Sequence, residues 1–170
     1  GEDLSIFTLE GVTASTFICH ERRYPELARI PVMAGARILF HPNAGMDSLA
    51  VSRTKRGGRD GIAVRAFENA VFYVFANSVG PQGGGRWSAG DSKIVGPDGR
   101  ILRIADNRSE TTLVADLDLD GATGKYARES LQHPRCLAAH WRRVLREFTL
   151  RVRRRDALLG RRFPGTPPIA

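Results

Sequence analysis

The stretch Phe17-Ile18-Cys19-His20-Glu21-Arg22-Arg23-Tyr24-Pro25-Glu26 joins a β-favouring run to a helix start across one short polar passage. Pro is tolerated at the first helical position, and Glu beside it complements the helix dipole. Cys19 therefore falls at a strand-to-helix turn, where backbone N–H groups are free and point outward. Such groups can hold a developing oxyanion. The layout follows the same physical idea as a nucleophile elbow, in which a sharp strand-to-helix turn presents a reactive side chain. A buried, inert cysteine is the competing reading of the turn alone.

Further pieces follow in order. Gly35-Ala36-Arg37-Ile38-Leu39 leads to Pro42-Asn43-Ala44, and Arg65-Ala66-Phe67-Glu68-Asn69 leads to Tyr73-Val74-Phe75-Ala76-Asn77. Gly90-Asp91-Ser92 precedes Pro97-Asp98-Gly99. Together with the cysteine stretch, these segments resemble the nitrilase, or carbon–nitrogen hydrolase, superfamily over about residues 5–133. The resemblance implies the C-terminal portion of a four-layer α-β-β-α sandwich. It implies hydrolysis of an amide or carbamoyl C–N bond through a thioester on Cys19, with no metal or organic cofactor. The backbone N–H of His20 is the expected oxyanion donor.

The superfamily pairs its cysteine with a Glu and a Lys that lie upstream of it. Here Cys19 follows only 18 residues, so the chain is expected to be the second half of such a domain, with both partners missing from it. Glu10, Glu21 and Lys55 match by residue type alone, and no spacing supports them. A reading from another class makes the chain an inactive remnant that binds through a basic tail.

Arg22-Arg23 before Tyr-Pro-Glu looks like the N-carbamoyl amino acid hydrolase branch. A basic pair there could grip a substrate carboxylate, which the Arg fork suits. Asn43 falls in the loop that lines the family's pocket. His20 stands where nitrilases commonly have Trp, which turns the reading from nitriles towards amides. Arg65 and Glu68, three apart on a helix, can pair, and the family analogy puts them near the reaction centre without being in it. Cys136 is read as structural.

The expected elements are strands over 4–8, 12–19, 38–40, 71–77, 92–95, 101–105 and 112–117. Pattern and turn chemistry set them, with Gly96-Pro97-Asp98-Gly99 as a hairpin signal. Helices are expected from Pro25 to about Ala34, kinked at Pro31, from an Asp60 cap to Asn69, and from Leu137 to Leu150. On the last, Leu137, Trp141, Val144, Leu145 and Phe148 fall on one face. Loops are expected over 41–49 and 78–88, and residues 53–60 look too Gly-rich and charged for a firm helix. Alternating strands and helices indicate α/β architecture.

At 170 residues one domain is expected. It is assigned to 1–135, followed by the amphipathic helix and Arg-rich tail over 136–170. Residues 142–162 hold nine arginines against Glu147 and Asp156, a net +7 of the chain's +8. The basic character thus belongs to the tail. It allows a solvated face, an oligomer contact, or phosphate binding to nucleic acid. No aromatics interleave with the arginines from 151 to 162, which disfavours a stacking platform for single strands. The family resemblance implies a homo-oligomer acting on a small amide or carbamoyl substrate.

No apolar run approaches the roughly 20 residues of a membrane span. Two cysteines make no disulfide framework, so a reduced, cytoplasmic setting is expected. Asp116-x-Asp118-x-Asp120 lacks the Gly and distal Glu of a calcium loop and reads as a strand end. Gly83-Gly84-Gly85 lacks the Lys-Ser/Thr ending of a phosphate loop.

Overall fold

Three β-rich runs lie side by side, all pointing the same way. In the computed structural model, which describes residues 4–54 and 61–158, these are β2 (Val12–Thr16), β3 (Ile38–Asn43) and β5 (Phe72–Asn77). Parallel neighbours need a crossover. α1 (Pro25–Met33) supplies the first. The second contains β4 (Met46–Ser48), α2 (Leu49–Thr54) and α3 (Ile62–Phe67). Antiparallel strands extend both edges. β1 (Ser5–Leu9) joins β2, and β8 (Lys93–Val95) with β9 (Ile101–Ile104) joins β5. The sheet order is β1-β2-β3-β5-β8-β9. A second sheet pairs β4 with β7 (Arg86–Ala89) and β7 with β6 (Val79–Pro81).

One face of the large sheet carries the helices. Ala28, Val32 and Met33 of α1 and Ile62 and Ala66 of α3 pack on Leu39, Tyr73, Phe75 and Val95. α4 (Lys125–Glu129) adds Ala127, and α5 (Arg135–Leu158) adds Leu145 with Trp141 beside it. The opposite face holds Ala14, Ile38 and Phe72, with Leu117 and Leu119 laid against them. The large sheet therefore carries one helical layer, the α/β architecture expected.

Several expectations are corrected. The second strand stops at Thr16, because Cys19 takes a positive φ of 53° and opens a 3-10 turn over Cys19–Arg23. The loop expected over 41–49 instead completes β3 and forms β4. The loop expected over 78–88 is the β6–β7 hairpin, with Gly83, Gly84 and Gly85 at positive φ at its tip. α1 contains Pro31 and ends at Met33, next to the stop expected at about Ala34.

Asp60 and Lys55 lie outside the described residues, and Gly61 precedes α3 at φ 78°. Residues 112–117 form no strand. Their alternation instead sets Leu113, Ala115 and Leu117 half-buried. α5 is longer than expected. Ala138 is buried on it, while Leu137 is 46% exposed. Cys136 is exposed on the same helix, which removes a packing role.

Candidate active site

The parallel register sets the site. β3 and β5 align Leu39 with Tyr73, His41 with Phe75 and Asn43 with Asn77. Side chains alternate across a strand, so these pairs share the helical face. Both strands end in asparagine at the same level, and the chain leaving β2 reaches Cys19 beside them. In open α/β sheets, ligands bind beyond the carboxyl ends of such strands. Here that place is a cavity of about 110 Å³.

Cys19, His20, Arg22, Arg23 and Asn43, the five residues singled out in the sequence, all line it. Gly45, Phe75, Asn77, Ala89, Gly90 and Asp91 complete the wall.

The Cys19 turn is tied down locally. The Ile18 N–H donates to the Glu21 carboxylate at 2.6 Å, and the Glu21 N–H donates to the Ile18 carbonyl at 3.1 Å. Glu21 therefore caps the turn. Arg65 of α3 reaches the same turn, donating through Nε to the Arg22 carbonyl at 3.3 Å. Its NH1 holds Glu68 at 2.8 Å, the pair expected from their spacing. Arg29 lies near both. Burial pulls its guanidinium below the ordinary arginine value, Glu68 opposes this, and Arg65 adds to it. Glu10 sits away from the cavity, at the β1–β2 turn.

Asn77 ties the rim together. Its side-chain Oδ1 accepts from Asn43 Nδ2 at 2.8 Å and from the Gly45 N–H at 3.2 Å. Its Nδ2 donates to the Gly90 carbonyl at 2.8 Å. Beneath the rim, His41 is fully buried, with Nε2 3.0 Å from the Cys19 carbonyl and Nδ1 2.9 Å from the Tyr73 hydroxyl. Lys93, also fully buried, donates to Asp91 at 3.0 Å and lies 5.8 Å over the Phe75 ring.

Sequence reasoning missed Asn77, His41, Tyr73, Asp91 and Lys93 as parts of the site. The signal was available in two apolar runs of equal length, Ile38–Asn43 and Phe72–Asn77. Each ends in Asn, and each carries a polar side chain on the same face.

Among the described residues no cluster of three metal-ligating side chains occurs. Asp118 instead accepts from the Asp120 N–H, capping a short turn.

A mixed sheet backed by one helical layer, with a cysteine turn beside the carboxyl ends of its parallel strands, defines a layered α/β fold. The carbon–nitrogen hydrolase family model matches residues 1–125, and the chain belongs to that family. It is 36% identical over 121 residues to an (R)-stereoselective amidase of Pseudomonas sp., covering 71% of this chain and 42% of the relative. It is 34% identical over 130 residues to an N-carbamoylputrescine amidase of Arabidopsis thaliana, covering 68% and 42%. The solved NitN amidase of Nesterenkonia sp. AN1 superposes with a TM-score of 0.63 at 24% identity, covering 83% of this chain and 50% of that one. The fold is thus nitrilase-like, and the chain spans half or less of the length of these relatives. No helix among the described residues is long and apolar enough to cross a membrane.

Proposed function

We propose that this chain carries the nucleophile of an amidase or carbamoylase that hydrolyses a small, non-peptide C–N bond. The observation that carries this reading is the convergence of Cys19, Arg22, Arg23 and Asn43 on one cavity at the ends of parallel strands. Cys19 Sγ attacks the amide or carbamoyl carbon. The carbonyl oxygen takes the negative charge and accepts from the His20 N–H. The C–N bond breaks, the leaving nitrogen takes a proton and departs as ammonia or an amine, and water hydrolyses the thioester.

The family's glutamate handles these protons, and its lysine steadies the tetrahedral intermediate. Neither has a counterpart among the cavity-lining residues, and the reading draws both from an upstream part of the protein. Arg22 and Arg23 at the cavity wall favour a substrate bearing a carboxylate, as an N-carbamoyl amino acid does. Oligomerisation belongs to the same reading.

The test is the Cys19→Ala variant in the complete enzyme. Ammonia or amine release is expected to vanish, and the thioester mass adduct on the Cys19 peptide with it. Retained turnover would sink the assignment. The competing reading, binding by a catalytically inactive remnant, rests on α5. That single helix continues from Arg135 through Leu158 and carries seven of the tail arginines. It requires nucleic-acid affinity that falls steeply with salt and disappears on truncation after residue 141.

A further inference from the structure

His41 follows the apolar run Ile38–Phe40 of β3 and has no exposed surface. Three aromatic rings hold its imidazole. Phe17 stacks at 5.3 Å, Phe75 tilts at 5.0 Å, and Tyr73 meets it edge-on at 5.8 Å between centroids. A buried polar ring needs hydrogen bonds at both nitrogens, and both are made. Nε2 faces the Cys19 carbonyl at 3.0 Å, and Nδ1 faces the Tyr73 hydroxyl at 2.9 Å.

The chemistry of the two partners orders the protons. A carbonyl oxygen only accepts, so Nε2 must carry the hydrogen. In the neutral ring Nδ1 is then a lone-pair acceptor, and the Tyr73 hydroxyl donates to it. The chain Tyr73 O–H to Nδ1, then Nε2–H to the Cys19 carbonyl, runs in one direction. It ends on the backbone of the residue whose φ is 53°. That conformation costs a non-glycine residue about 1–2 kcal/mol, so it persists only where its surroundings hold it.

Glu21 secures the turn at Ile18, and Arg65 secures it at Arg22. His41 bonds Cys19 itself, through the Cys19 carbonyl.

We propose that His41 is a positioning residue for Cys19, with Tyr73 selecting the tautomer that lets it act. It holds the Cys19 backbone in the left-handed turn and so keeps the thiol turned to the cavity. It takes no proton from substrate. The proposal rests on the reading of Cys19 as nucleophile, but it concerns geometry and can fail by itself.

Alkylation by iodoacetamide, a small neutral amide electrophile, reads that geometry without turnover. Peptide mass mapping gives the rate at Cys19, with exposed Cys136 on the same chain as the internal reference. In His41→Leu the Cys19 to Cys136 ratio is expected to fall about tenfold, since an ångström of misplacement can cost more than that. His41→Gln keeps an N–H near the Nε2 position and is expected to recover most of the loss. A folded His41→Leu protein with the wild-type ratio would overturn the proposal, and so would a folded His41→Gln protein as slow as His41→Leu.

Should the leucine variant fail to fold, nitrogen NMR of the unaltered protein decides the matter. Nε2 protonated and Nδ1 bare is expected at neutral pH, with the Nδ1–H form appearing in Tyr73→Phe. A wild-type ring protonated at Nδ1 alone would overturn the proposal. Normal Cys19 alkylation with no acyl adduct from any amide would end only the hydrolase reading.

Discussion

Lys93 puts a basic side chain where no surface is exposed. Its ammonium meets the Asp91 carboxylate at 3.0 Å, and the two side chains are 0% and 8% exposed. Taking both ions out of water is costly, and close pairing repays the cost only while both are present. Lys93→Met would leave the Asp91 charge buried against the cavity wall. We expect that variant to lose about 3–5 kcal/mol, read as a lowered urea midpoint at unchanged slope. Lys93→Met with Asp91→Asn should recover part of the loss. Because Asp91 lines the cavity beside Cys19, the single variant should also slow Cys19 chemistry.

At the scale of the element, the turn between the rim and β8 leaves no room for change. Gly90 has φ 63°, and a Cβ there would stand 2.8 Å from the Asn107 Cα, the Asp106 carbonyl and a Val79 methyl. Asp91 follows, also left-handed at 63°. The facing turn is itself well ordered. The Asp106 carboxylate accepts from the N–H groups of Arg108 and Ser109, which hold its pKa below the ordinary value. Gly90→Ala must therefore strain its backbone and push against backbone atoms. We expect a loss of about 1–3 kcal/mol, seen as a lower Tm, together with a weaker Asn77 bond to the Gly90 carbonyl. A variant as stable as the parent would contradict the packing described here.

For the whole molecule, apolar surface remains in view on the helical layer. Val64 and Phe67 are 55% and 53% exposed, and the Phe67 ring lies 6.1 Å from that of Tyr126. If oligomerisation uses this face, Val64→Asp with Phe67→Asp should lower the mass seen by light scattering and leave the fold intact. An unchanged mass would rule this face out as a contact between copies.

The architecture was legible in the sequence because periodicity and turn chemistry act locally. Five residues of the cavity were legible because they lie on or near the cysteine motif, or on a strand end that resembles the family's. The rest was hidden for a physical reason. Asn77 and His41 gain their roles from neighbours 13 to 34 residues away in the chain, and Lys93 lies over a ring 18 residues before it; no local pattern encodes such pairings. The supposed strand over 112–117 shows the reverse error. Its alternation is real, but its half-buried side chains serve a sheet face, and a ladder needs a partner strand that the pattern cannot supply.

The strand alignment that brings Asn43 beside Asn77 also works as a checksum on folding. A slip of one residue in either strand would turn its asparagine to the opposite face, and a slip in β3 would also take His41 from beneath Cys19. Only a chain in the correct register sets Cys19 over His41 and beside the paired asparagines. A Cys19-directed electrophile, normalised to Cys136, would therefore count native molecules in a mixed preparation, as an active-site titrant does.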